Sequence, residues 1–226
     1  MKKILVFAPH PDDEILGVGG TMIKRIDNGD EVYVCIVTKG YPPYFSLERT
    51  AINQSDTQKC HAKIGVKKTF FLDFPANSLE LVDRFDLNAK IQEVIQLVKP
   101  DEVYIPHIGD MQRDHKIVSE ACMVALRPKY FPQVRKILAY ETMSETAWDL
   151  PNVQNAFIPN VFEDISNFIE TKKKALSYFT LQVKVFPDAR SEGAVEALAK
   201  YRGALMHWNA AEAFVLVREL NRDGNE

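Results

Sequence analysis

The chain opens on a short apolar run, Lys3 to Ala8, that stops at a proline, which predicts a buried strand. From Asp13 to Asn28 the apolar residues Ile15, Leu16, Met22, Ile23 and Ile26 follow a helical pattern, and Asn28-Gly29-Asp30 supplies the stop and the turn. EVYVCIVT (31–38) is an unbroken β-rich run, as in a strand covered on both faces. A helix from about Leu47 to Ile64, the strand KTFFLDF, a helix from about Leu81 to Val98, the strand EVYIP, a helix from about Arg113 to Leu126 and the strand KILAYE follow. Farther on the pattern is less regular: Ile165 to Phe179 and Gly193 to Met206 read as helices, and AEAFVLVREL as a late strand. Strands alternating with helices predict an α/β fold, a doubly wound and mostly parallel sheet with helices on both faces. With no repeat, low-complexity tract or Pro/Ser-rich linker, residues 1–226 read as one domain.

Composition narrows the function. The formal charge of −3 over 226 residues argues against a nucleic-acid binder, which needs a basic surface. MKKILVFAPHPDDE starts like a secretion signal, but the apolar run is too short and lacks a small-residue cleavage site. No stretch approaches the ~20 apolar residues of a membrane span. Cys35, Cys60 and Cys122 form no CxxC pair and read as reduced and buried, so a cytoplasmic location is expected.

The candidate chemistry sits at strand ends. Pro9-His10-Pro11-Asp12-Asp13-Glu14 forms the turn after the first strand, stiffened by two prolines. In open α/β sheets ligands bind beyond the carboxyl ends of the strands, where strand order reverses. The strand EVYIP is followed by HIGDMQRDH. In a sheet of order 3-2-1-4-5 the first and fourth strands are neighbours, and His115 can face His10 and Asp13. Imidazole and carboxylate suit Zn²⁺, and three protein ligands leave a position for water whose pKa the metal lowers. Of two adjacent aspartates on a rigid turn, one can hold metal while the other takes a proton. Each signal alone has a plainer reading: Asp12 and Asp13 could only cap a helix, and a lone histidine is more often core or surface.

APHPDDEILGVGGTM and GDMQRDHKIVSEA together resemble the two signature segments of the LmbE-like, PIG-L-type de-N-acetylases, and YETMSETAW, PNVFEDIS, ARSEGAVEALAKYRG and AEAF extend the resemblance nearly end to end. The resemblance implies a Rossmann-like fold and metal-dependent removal of acetyl from the nitrogen of a glucosamine-type sugar. By position it makes His10, Asp13 and His115 the metal ligands and Asp12 the general base. Zn²⁺ is the implied cofactor, with Fe²⁺ also compatible with this donor set. The family usually places an oxyanion-stabilising histidine three residues before the ligand histidine, oriented by the intervening aspartate. Here that position is Gln112, while Asp114 is kept. An amide NH₂ can donate to an oxyanion but carries no charge and delivers no proton. His107, in the same loop, could take its place.

Weaker signals complete the picture. Gly17-Val18-Gly19-Gly20 lacks the GxGxxG spacing and falls inside a helix, so close packing explains it better than a nucleotide site. Arg49 lies where the family often has a sugar-contacting arginine but reads equally as a solvated helix charge, and Asn77 lies beyond the third strand, where it could bind a sugar hydroxyl or simply form a turn. Residues 41–45, YPPYF, could stack on a sugar ring or merely cover the core. Asp188-Ala189-Arg190-Ser191 resembles a family segment usually written PHPRS and carries no assigned role. The expected partner is thus a small N-acetylated sugar, with homo-oligomerisation left open. The rivals are a hydrolase for another amide, such as a thiol conjugate, and a metal- or sugar-binding protein of weakened activity, which Gln112 favours and Asp12 opposes.

Overall fold

A computed structural model of the chain describes residues 1–221. Among the described residues seven strands form one sheet: β1 (Lys3–Ala8), β2 (Glu31–Lys39), β3 (Lys68–Pro75), β4 (Glu102–Pro106), β5 (Lys136–Tyr140), β6 (Val161–Asp164) and β7 (Ala211–Glu219). Their order is β3-β2-β1-β4-β5-β7-β6. The first five run parallel in the predicted order 3-2-1-4-5, while β7 is antiparallel to both β5 and β6. The late strand thus inserts between β5 and a short strand the pattern does not announce.

The helices are α1 (Asp13–Asp27), α2 (Leu47–Ile64), α3 (Arg84–Val98), α4 (Arg113–Ala125), α5 (Met143–Thr146), α6 (Ile169–Leu176) and α7 (Glu192–Ala204). Two predicted starts move inward. Leu79–Leu81 forms a separate 3₁₀ turn, and α3 begins only after Asp83, whose side chain accepts from Phe85 N. Ile165 lies before α6, in a turn where Asp164 accepts from Ser166 N and Oγ.

Alternate residues of the strands feed two cores, as the two-residue side-chain period requires. Leu5, Phe7, Cys35, Val37, Val103 and Ile105 pack under α3 and α4. Ile4, Val6, Val32, Val34, Tyr104 and Tyr140 pack under α1, α6 and α7. Gly17 explains how close α1 comes to the sheet: a β-carbon there would lie 2.2 Å from the Tyr140 ring and 2.9 Å from the Glu141 carbonyl. The glycine run is therefore a packing feature, as its spacing suggests. Among the described residues no helix is long and apolar enough to cross a membrane.

Candidate metal centre

The carboxyl ends of β1 and β4 lie side by side, and the turns that leave them meet. Asp12 occupies the N-cap position of α1 but makes no side-chain cap bond, and its φ of 106° lies in the left-handed region. This argues against a mere capping role, for a residue present only to cap would bond the helix amides from an extended backbone. Asp13 Oδ2 accepts from His10 N at 2.9 Å, which ties the turn together. The same oxygen lies 3.3 Å from His10 Nδ1 and 3.2 Å from His115 Nε2. One donor atom from each of His10, Asp13 and His115 thus falls within 4.8 Å of the others.

The far side of each imidazole is held by a buried carboxylate. His10 Nε2 lies 2.9 Å from Asp114 Oδ2, and His115 Nδ1 lies 2.8 Å from Asp110 Oδ2. Asp114 is fixed in turn by Asn77 N at 2.7 Å and Leu79 N at 3.2 Å, and Asp110 by Thr146 Oγ1 at 2.6 Å. Carboxylates behind metal-facing histidines set the tautomer and leave the inner nitrogen as a lone-pair donor. Asp13 Oδ1 is buried without a hydrogen-bond partner among the described residues. An orphaned carboxylate oxygen beside two converging imidazoles fits a divalent cation.

The electrostatics agree. Burial works against charge on every group here, yet the bonds from Asp114 and Asp13 raise His10 to about 9. Asp13 and Asp110 likewise raise His115 to about 10 against its burial. Despite burial, His115 and His10 hold Asp13 far below the usual carboxylate range. Asp12 moves the other way: burial, then the charge of Asp13, pushes it well above its ordinary value, with Arg190 opposing. Two imidazoles that hold protons so firmly around one carboxylate mark a place where a single dication can replace those protons.

This centre lies beside a cavity of about 380 Å³ whose lining includes His10, Asp12, Arg49, Asn77, Gln112, Glu145 and Arg190. Arg49 and Asn77 therefore stand where a ligand can reach them, and Asn77 also forms a turn, with φ 59°. Gln112 lines the cavity too, but its amide is engaged at both ends. Its Oε1 caps α4 by accepting from Asp114 N and His115 N, and its Nε2 donates to Asn77 Oδ1 at 2.7 Å. The Asp114 carboxylate faces His10 and the turn after β3, not a group at position 112. His107 is not brought to the cavity: its ring packs on Phe157 and its Nε2 lies 3.0 Å from the Asn155 carbonyl.

Sequence reasoning missed Asp110, Glu145 and Arg190 as site residues. Arg190 Nε lies 3.8 Å from Asp12 Oδ2, and an Arg190 Nη lies 3.5 Å from Glu145. All three stand in segments that carried the family resemblance, but without geometry nothing separated them from ordinary loop charges.

Comparison with known proteins follows the same line. A family model described as PIG-L, GlcNAc-PI de-N-acetylase, matches residues 5–126. The chain is 28% identical over 186 residues to a diacetylchitobiose deacetylase of Thermococcus kodakarensis, covering 78% of this chain and 68% of that one. An N,N'-diacetylchitobiose deacetylase structure from Pyrococcus horikoshii, with its inhibitor bound, superimposes with a TM-score of 0.76 at 24% identity, covering 96% and 84% of the two chains. At 16% identity, 4-carboxy-2-hydroxymuconate hydratase GalB of Pseudomonas putida KT2440 superimposes along all of both chains with a TM-score of 0.77. At these identities the structural matches speak for the fold alone.

Proposed function

The chain belongs to the PIG-L family, and from that premise we propose that it is a metal-dependent deacetylase that frees the amine of an N-acetylated amino sugar. The observation that carries the reading is the convergence of His10, Asp13 and His115 beside a cavity whose lining includes Asp12. His10, Asp13 and His115 would hold the cation, Zn²⁺ being well suited to two imidazoles and a carboxylate and Fe²⁺ also acceptable. When bound, such a cation polarises the acetyl carbonyl and eases deprotonation of the attacking water.

The protein's own groups do the rest. Asp12 takes the proton of the attacking water. Its carboxylate keeps one oxygen free of hydrogen bonds among the described residues, and burial beside Asp13 raises its affinity for a proton against the opposing charge of Arg190, as suits a group that takes a proton from water and hands it on. As the C–N bond breaks, the same carboxyl delivers that proton to the departing amine, so acetate and the free amino sugar leave in balance. Asp114 and Asp110 hold the two imidazoles in register. Arg49, Asn77 and Gln112 line the cavity and would meet the sugar there.

The test is acetate release from a panel of N-acetyl sugars, beside larger acyl amides and a thiol-conjugate amide. We expect turnover confined to the acetyl sugars, abolished by chelation and restored by Zn²⁺. Asp12→Asn should keep the metal and lose ~10²-fold or more in turnover. Metal binding without hydrolysis of any amide would instead identify a binding protein.

A further inference from the structure

A buried chain of hydrogen bonds reaches the Asp12 turn from behind. Glu14, in the first turn of α1, is fully buried and absent from the cavity lining. One of its carboxylate oxygens accepts from Asp12 N at 3.2 Å, and the other lies 3.0 Å from His61 Nε2 on α2. His61 is also buried, and its Nδ1 lies 2.7 Å from the Thr69 hydroxyl on β3. These contacts assign a proton to Nε2, donated to Glu14, and leave Nδ1 to accept from Thr69.

The residue at the end of this chain is the one with unusual backbone. A side-chain-bearing residue at φ 106° persists only where its surroundings over-determine it. The Asp12 side chain makes no cap bond of its own; its carbonyl accepts from Ile15 N and Leu16 N as a helix start does, and its amide donates to the Glu14 side chain. We propose that Glu14, His61 and Thr69 form a positioning relay that fixes the Asp12 backbone and thereby aims its carboxylate at the reacting atoms. The relay rests on the reading of Asp12 as the base. It touches neither substrate nor metal; it acts through Asp12.

The test is a double-mutant cycle in the zinc-loaded enzyme, with Glu14→Ala and Asp12→Asn alone and combined, reading kcat, KM and metal content. Glu14→Ala should keep its metal and a KM within about twofold, while kcat falls ~10²-fold, the scale of an ångström-sized misplacement. In the Asp12→Asn background the same change should cost no more than about twofold, because no base remains to misplace. Glu14→Gln should recover most of the rate: its carbonyl can hold Asp12 N, and its NH₂ can donate to a His61 of the reversed tautomer. Thr69→Val removes only the outer anchor and should lower kcat several-fold, again with metal and KM kept. It carries the test if Glu14→Ala does not fold or does not hold metal. Parent kcat in metal-replete Glu14→Ala, or in Thr69→Val where that variant carries the test, overturns the relay. So does an equal loss in both Asp12 backgrounds. Parent turnover in Asp12→Asn alone refutes the base itself, whatever position 14 shows.

Discussion

Replacing Asp114 by asparagine asks how far a carboxylate outside the proposed ligand set controls metal affinity. Asp114 is fully buried and accepts from three donors: His10 Nε2 and Asn77 N at Oδ2, and Leu79 N at Oδ1. An asparagine has one acceptor oxygen. Placed at the Oδ2 position it keeps His10 and Asn77 but turns its NH₂ toward the Leu79 amide. Placed the other way, it sets its NH₂ against two donors. The first arrangement is the better one, and it loses one charge-assisted bond and weakens two. A buried bond to a charged group is worth ~1.5–3 kcal/mol, so we expect the metal-free variant to be about 2 kcal/mol less stable. The His10–carbonyl contact that remains is weaker, so the inner Nδ1 becomes a poorer donor. Losses of this kind cost ~10–100-fold in metal affinity, or ~1.4–2.8 kcal/mol. Competition for Zn²⁺ against a chromophoric chelator reads the affinity, and denaturant unfolding of the metal-free forms reads the stability. Asp114→Ala should bind more weakly still, because it leaves the His10 N–H and two backbone amides without acceptors. A folded Asp114→Asn protein that binds zinc as tightly as the parent would refute the reasoning.

Other perturbations read the frame around this centre. Gly17→Ala drives a methyl into the Tyr140 ring, itself pinned by its hydroxyl donating to the Phe7 carbonyl at 2.9 Å. We expect a loss of ~1–3 kcal/mol in chemical denaturation, the usual cost of overpacking. Gln112→Ala removes the cap of α4 and should cost ~1 kcal/mol while zinc content, measured by elemental analysis, stays at the parent level. In the metal-free protein, His10 at about 9 and His115 at about 10 both lie above the ordinary 6.5. The stability they contribute is therefore full below pH 6.5 and lost as pH rises through 9 to 10. Thermal melts of the metal-free form should fall across that window, and a flat profile would show that these imidazoles are not paired with their carboxylates.

Much of this arrangement was legible because local pattern and topology coincide. The parallel half of the sheet announces itself through apolar runs alternating with helical spacing, and the order 3-2-1-4-5 brings His10 and His115 together across about a hundred residues of chain. What escaped was set by contacts that pattern does not record. β6 is four residues long, VFED, and no residue of it is fully buried, so it has no apolar signature. It becomes a strand only because β7 offers an edge to pair with. The inward starts of α3 and α6 come from Asp83 and Asp164 bonding nearby donors, a local competition that apolar spacing cannot see. The departure at Gln112 shows the same limit from the other side. Read alone, an amide replacing an imidazole suggests a weakened oxyanion donor. In the fold its carbonyl caps α4 beside His115, its NH₂ holds Asn77, and the Asn77 amide in turn holds Asp114 behind His10. Position 112 is thus joined by hydrogen bonds to the backbone of His115 and, through Asn77 and Asp114, to the imidazole of His10. A substitution there acts first on the start of the helix that carries His115, and only through it on the charge of a transition state.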